Sequence, residues 1–311
     1  MSFKIITEAG DLRDKRVFVR VDWNVPFENG AVVDDFRIMK SFATLNFLKE
    51  AGAKVIIATH LESDTASVEP LKKYVPAGME LLENLRQDPR EKSNDASFAA
   101  ELAGKADIYV NEAFSASHRT HASIVGVPKL LPSFAGIEFA QEVSQLSKAF
   151  APAHPFLLLL GGAKFETKIP LVEKFLNIAD EIFIAGAIAA PASLLPIVQN
   201  PKVTLPLGDI AALDADEQNI ALMKEKIDKS AFVLWNGPLG KYEDGYTQGT
   251  KELSKILANC GKEVIVGGGD TLAAIKELNL YDKFTFVSTA GGAMLDFLAN
   301  ETLPGIQALE N

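Results

Sequence analysis

Short apolar runs recur along the chain at 17–21, 54–58, 107–110, 156–160, 181–184, 232–235, 263–266 and 284–287, each the length of a strand and too short for a helix. Between them, 37–50, 171–176, 216–228 and 246–259 carry apolar residues at helical spacing. This alternation predicts α/β units built on parallel sheets. Because the runs are apolar throughout, both faces of those sheets are expected to be covered. Ligands of open parallel sheets bind beyond the carboxyl ends of the strands, and polar groups follow nearly every run here. Asp22 and Asn24 follow the first and His60 the second; Asn111 leads to His118 and Arg119; Lys164, Asn236 and Asp270 follow later ones.

The length of 311 residues favours two domains over one. A helix predicted over 138–150, with Pro132 before it and Pro152 and Pro155 after it, is the candidate connector. A net charge of −10 argues against nucleic acid as a partner, and an anionic substrate then needs a local basic cluster. Cys260 is the only cysteine, so no internal disulfide forms, and with four histidines a structural zinc site is not expected. The longest mostly apolar run, 182–198, is short for a membrane span and contains Pro191 and Pro196. The first residues turn polar too soon for a signal peptide, so the expected location is the cytoplasm.

The junction Val266-Gly267-Gly268-Gly269-Asp270-Thr271 joins a buried run to a helix predicted over 271–278. Glycines let backbone N–H groups approach a ligand, and a helix N-terminus adds partial positive charge. Asp270 and Thr271 suit a magnesium ion or a phosphate oxygen. A second such junction, Ser288-Thr289-Ala290-Gly291-Gly292, serves equally as an anion site or as a simple helix start. In Arg20-Val21-Asp22-Trp23-Asn24-Val25-Pro26, strand period places Arg20, Asp22 and Asn24 on one face, and Arg37 can fork onto a carboxylate or phosphate. His118-Arg119-Thr120-His121 reads as an anion-binding loop or a solvated polar one. Gly161-Gly162-Ala163-Lys164 and Lys168 could flank a phosphoryl group although the Walker spacing is absent. In Trp235-Asn236-Gly237-Pro238 through Glu243, the carboxylate could accept from ribose hydroxyls.

Taken together and in this order, the blocks resemble the phosphoglycerate kinase family. The resemblance covers nearly the whole chain. Residues 19–26 differ from the family pattern only at Trp23, and Leu82-Glu83-Asn84-Leu85-Arg86, Asn111-Glu112-Ala113-Phe114 and Leu303-Pro304-Gly305 also match. It implies an α/β chain of two Rossmann-like lobes with parallel sheets, joined by a hinge helix. The lobes would be 1–135, with the tail 298–311 returning to it, and 156–297, with 136–155 as hinge and linker. The first lobe would hold 3-phosphoglycerate or 1,3-bisphosphoglycerate through Asp22, Trp23, Asn24, Arg37, His60, Arg119 and His154. The second would hold ATP or ADP through Lys168, Asn236, Glu243, Gly268, Gly269, Asp270 and Thr271, with Asp270 near Mg2+. Arg37, Lys164 and the N–H of Gly292 would stabilise the transferring phosphoryl group as the lobes close. The implied enzyme is a monomeric glycolytic phosphotransferase with a carboxyl acceptor. A nucleotide-binding relative without kinase activity, or a kinase for another small carboxylate, are the alternatives.

The chain departs from the pattern in several places. It is short between His60 and Leu82 and again after Ile184. Ser63 and His154 stand where the family carries arginines, Ala185-Gly186-Ala187 replaces three glycines, and Ala290 replaces one more. A charged hydrogen bond contributes roughly 1.5–3 kcal/mol, so two lost arginines predict glycerate binding weaker by roughly two to four powers of ten. Protonated His154 and Arg86 are expected to recover part of this. An active kinase with a raised KM for 3-phosphoglycerate is the resulting expectation.

Overall fold

The apolar runs become the strands of two parallel sheets. In chain order the strands of the described residues are β1 (Arg16–Val21), β2 (Phe27–Glu28), β3 (Ala31–Val32), β4 (Lys54–Ala58), β5 (Glu80–Leu81), β6 (Ile108–Glu112), β7 (Ser133–Ala135), β8 (Phe156–Leu160), β9 (Glu181–Ile184), β10 (Val203–Thr204), β11 (Phe232–Asn236), β12 (Glu263–Gly267) and β13 (Phe286–Ser288). The computed structural model describes residues 3–310. Its contacts divide into two units, Met1–Val143 with Thr302–Asn311, and Ser144–Glu301. No helix among the described residues is long and apolar enough to cross a membrane.

The first unit holds the sheet β5-β4-β1-β6-β7, and the second holds β10-β9-β8-β11-β12-β13. All their neighbours pair in parallel; only β2 and β3 form an antiparallel ribbon. Each sheet runs outward from its first strand in one direction and then in the other. That is the Rossmann-like order, and its switch point lies between β1 and β6 in one unit and β8 and β11 in the other. The central strands are buried along nearly their whole length, as expected for sheets covered on both faces. The α/β class with two parallel sheets is therefore as expected from the sequence.

Several boundaries differ from the sequence reading for identifiable reasons. The predicted helix 37–50 is two helices, Phe36–Lys40 and Phe42–Glu50. At the break, the Ser41 hydroxyl donates to the Ile38 carbonyl at 2.6 Å and accepts from Trp23 Nε1 at 2.9 Å. The helix predicted to begin at residue 171 starts at Phe165 and runs through Pro170. The last strand begins at Phe286 instead of residue 284, because the Thr285 hydroxyl takes the Val264 N–H at 3.0 Å. β5, β7 and β10 are two or three residues long, too short to show a period.

The connector is the helix Ile137–Ser147 followed by a short turn, Lys148–Phe150. The division between units falls inside this helix, after Val143. Its first turn is held by Glu112, the last residue of β6, which accepts the N–H groups of Glu138 at 3.2 Å and Phe139 at 3.1 Å. A carboxylate there satisfies orphan helix donors and suits the helix dipole. Gly136 makes the contact possible, since a Cβ there would lie 1.8 Å from Glu112 Oε2. Gly136→Ala is expected to lower stability by about 2–3 kcal/mol, read as a fall in the urea midpoint. An unmoved midpoint would show that the cap has room to yield.

Candidate active site

In the first unit the switch point is lined by arginines and carboxylates whose positions follow from strand ends. Asp22 leaves β1 with its side chain buried. Its Oδ2 accepts from Arg37 Nη1 at 3.1 Å and from the Ser115 hydroxyl, and its Oδ1 accepts from the N–H of Asn24 at 3.2 Å. Burial works to raise this carboxyl; Arg37, the Ser115 hydroxyl and Arg20 outweigh it and hold it well below the usual carboxylate range. Arg37, in the first turn of Phe36–Lys40, also donates to the Asn24 carbonyl at 2.9 Å and keeps about a third of its side chain exposed, 32%. Arg119, in the loop after β6, donates from Nε to His118 Nε2 at 3.3 Å.

His60 follows β4 and is buried, with Nδ1 3.0 Å from Nη2 of the fully buried Arg20. Burial pushes its imidazole down to about 2, aided by Arg20, Arg86 and Arg119 and opposed by Asp22. His121 is pushed down to about 4, by burial first and then by the same three arginines. Two neutral imidazoles among three guanidiniums describe a field that an anion would relieve.

Arg86 belongs to this cluster although the sequence reading gave it only a supporting place. It is 6% exposed, reaches the carbonyls of Leu61 and Glu62 at 3.4 and 3.3 Å, and leaves its buried Nε without a partner. The signal was present in Leu82-Glu83-Asn84-Leu85-Arg86, but nothing in that string shows that β5 runs beside β4. Glu62, beside the Ser63 that replaces an arginine, turns its carboxylate toward the same place. Its Oε2 accepts from Asn24 Nδ2 at 3.4 Å and lies 3.7 Å from Arg86 Nη1.

In the second unit the switch point is a backbone crossing. The N–H of Gly161 donates to the Asn236 carbonyl at 2.9 Å and that of Gly162 to the Pro238 carbonyl at 2.7 Å. A Cβ on Gly161 would lie 2.2 Å from the Pro238 oxygen, and one on Gly237 2.4 Å from the Gly161 oxygen, so only glycine permits the approach. The ammonium of Lys168 is buried at this crossing and donates to the Gly161 carbonyl. Burial pushes it down to about 8, with Lys164 adding to the fall and Asp270 opposing it. Lys164 is exposed at the start of Phe165–Phe175.

Two more helices begin beside this crossing, Gly269–Glu277 after β12 and Gly292–Asn300 after β13. Gly268 adopts φ +107°, and open space faces both Gly269 and Gly292. The first helix starts two residues earlier than the sequence predicted, which puts Gly269 and Asp270 in its first turn. Thr271 Oγ1 is buried with no hydrogen-bond partner, so a polar atom is already in place for a ligand oxygen or ion. Glu243 is exposed on a short turn, Tyr242–Asp244. No cluster of three or more metal-binding side chains exists among the described residues. Magnesium carried by a polyphosphate needs only one or two carboxylates, because phosphates and water fill its other positions. Asp270 and Thr271 fit that demand.

Two expected site residues need correction. Trp23 is fully buried, its indole bonded to Ser41, so it supports the site from beneath and faces no ligand. Asn236 is also turned inward, its amide 3.4 Å from Met294 Sδ. His154 precedes β8 and pairs with Asp180 at 2.6 Å. That is the amino end of the strand whose carboxyl end leads to Lys164, in the second unit.

The family model for phosphoglycerate kinase matches residues 6–77, 64–194 and 196–301. The chain is 35% identical over 392 positions to the phosphoglycerate kinase of Coprothermobacter proteolyticus, covering 99% of each. It is 32% identical over 377 positions to that of Rubrobacter xylanophilus, covering 96% of each. Both alignments are longer than the 311 residues of this chain, so the relatives carry segments it lacks. Among solved structures, phosphoglycerate kinase from Coxiella burnetii aligns with a TM-score of 0.84 at 29% identity, covering 99% of this chain and 98% of that one. The enzyme from Pyrococcus horikoshii aligns with a TM-score of 0.86 at 25% identity, covering 98% of both.

Binding of a polyphosphate at Lys168 is expected to require its ammonium form and to raise its pKa. Affinity should therefore fall as pH rises through about 8, with proton uptake on binding. Calorimetry in two buffers of different ionisation enthalpy measures that uptake. Identical heats above pH about 8 would place the phosphates away from Lys168.

Proposed function

The chain belongs to the phosphoglycerate kinase family, and from that premise we propose that it catalyses reversible Mg2+-dependent phosphoryl transfer between 1,3-bisphosphoglycerate and ADP, giving 3-phosphoglycerate and ATP. One observation carries the reading: the switch points of the two sheets bear chemically complementary sites. One gathers arginines around a pre-ionised carboxylate, and the other gathers glycine-opened helix N-termini around two lysines.

The roles follow from that chemistry. Asp22 and Asn24 accept from and donate to the hydroxyl and carboxylate of the glycerate. Arg86 and Arg119 neutralise its remote phosphate, with His60 as a neutral donor. Lys168, Gly268, Gly269 and Thr271 hold the nucleotide phosphates, and Glu243 the ribose. Asp270 would hold magnesium, which supplies charge neutralisation on the β- and γ-phosphate oxygens when bound. In-line transfer needs alignment and cancellation of charge more than covalent catalysis. Arg37, Lys164 and the N–H of Gly292 are the groups that would flank the migrating phosphoryl group, and exclusion of water would protect the acyl phosphate. Both sites come from one chain, which supports a monomer; action in the cytoplasm on the soluble intermediates of glycolysis follows from the proposed activity.

The test is ATP consumption coupled to 3-phosphoglycerate. Lys164→Ala is expected to cut kcat about a hundredfold or more while ATP still binds; unchanged turnover would remove Lys164 from the reaction. Glu62→Gln is expected to lower KM for 3-phosphoglycerate about threefold or more, with kcat little altered and the gain shrinking in high salt. A KM that rises instead would mean that the Glu62 carboxylate assists the substrate.

A further inference from the structure

Five groups tie His60 into the interior of the first unit. Arg20 Nη2 lies 3.0 Å from His60 Nδ1. A guanidinium has donors only, so Nδ1 must be the acceptor. Arg20 has no freedom to turn away. It is fully buried, Nη1 donates to the Val21 carbonyl, and Nε donates to Ser123 Oγ at 2.9 Å. Ser123 is fixed in turn: its hydroxyl donates to the fully buried Glu91, its N–H reaches the other Glu91 oxygen at 2.9 Å, and its carbonyl accepts from the Tyr109 hydroxyl at 2.8 Å.

We propose that Arg20, anchored by Ser123 and Glu91, is a positioning residue that locks the His60 imidazole with its proton on Nε2. His60 then meets its ligand only as a hydrogen-bond donor to an anionic oxygen and never as a base. A proton on Nδ1 would set N–H against N–H at 3.0 Å. The one carboxylate near enough to reward it, Asp22, has Oδ1 at 3.8 Å, beyond a hydrogen bond; that oxygen already accepts the Asn24 N–H, and the other accepts from Arg37 and Ser115. Burial opposes any added positive charge on the ring, and Arg86 and Arg119 oppose it too. No hydrogen bond joins Nε2 to another described residue, which leaves its proton for a ligand. A hydrogen bond accepted by one ring nitrogen fixes the proton on the other. That the ligand is 3-phosphoglycerate rests on the family reading; the tautomer does not.

The direct test uses the unmodified protein labelled with 15N, with the His60 signals identified by their loss in His60→Gln. The expected spectrum has Nε2 protonated and Nδ1 bare at neutral pH, unchanged down to about pH 5. An Nδ1–H signal, or an imidazolium forming between about pH 5 and 8, would overturn the proposal. Arg20→Met, which removes the donors and keeps most of the volume, is expected to let the ring titrate at higher pH; an unaltered ring in that folded variant would also overturn it. A second measurement compares 3-phosphoglycerate affinity in His60→Gln, whose amide reaches the Nε2 position, with His60→Asn, whose amide reaches only Nδ1. The glutamine variant is expected to bind about five- to tenfold tighter than the asparagine variant; equal binding would defeat the donor role. Failure of the unmodified protein to bind 3-phosphoglycerate, with the Nε2–H signal intact, would overturn the kinase reading and leave the lock standing.

Discussion

Parallel pairing of β1 with β4 on one side and β6 on the other brings Asp22, His60 and the Ser115–Arg119 loop to one edge, although these groups are widely separated in sequence. The pairing of β8 with β11, and of β11 with β12, does the same for Gly161, Gly237 and Gly268. Antiparallel pairing would send alternate ends to opposite edges. Every later feature of the molecule relies on this shared direction, because a strand end fixes the backbone from which a short polar segment departs. The switch points then open a crevice, since the chains on either side of them leave in opposite directions.

In the proposed reading the two edges hold negative charge by different physics. The first uses side-chain cations, and it makes them rigid by burying them among fixed partners. Arg20 is satisfied by Ser123, Val21 and His60, and Asp22 stays ionised under Arg37. Burial first, and then the concentration of guanidiniums, keeps the imidazoles neutral, so the cluster carries its positive charge on guanidiniums. The second edge relies on main-chain N–H groups, which need no desolvated charge at all, and adds one buried lysine. The depression of Lys168 toward neutrality records what that burial costs. Glycine is required where the two strand ends nearly touch, at Gly161 and Gly237, and any side chain there would force apart the crossing that holds Lys168.

Most of the fold was readable because long, wholly apolar strands and helical spacing are local properties. The elements that were missed are those whose limits are set from outside. Ser41 breaks a helix because Trp23 reaches it from β1's end, and Thr285 shortens a strand by substituting its hydroxyl for a backbone acceptor. The candidate site was readable to the extent that its residues lie within a few positions of a strand's end, as Asp22, Lys164 and Asp270 do. Proximity in sequence to a strand says nothing about which of its two ends a residue occupies; His154 stands at the amino end of β8, paired with Asp180. Arg86 was underrated for the converse reason, since β5 is two residues long and its neighbour β4 becomes visible only in three dimensions.

The amino-acid order alone determined the α/β class, the two parallel sheets and the polar character of each strand end, because hydrophobic period and glycine placement act over a few residues. Tertiary structure alone decided which nitrogen of His60 faces Arg20, how far Lys168 is desolvated, and that Glu62 leans on Asn24 and Arg86. Those properties depend on distances between segments that meet only once the strands have paired, and electrostatic interactions depend on such distances and on burial far more steeply than on sequence.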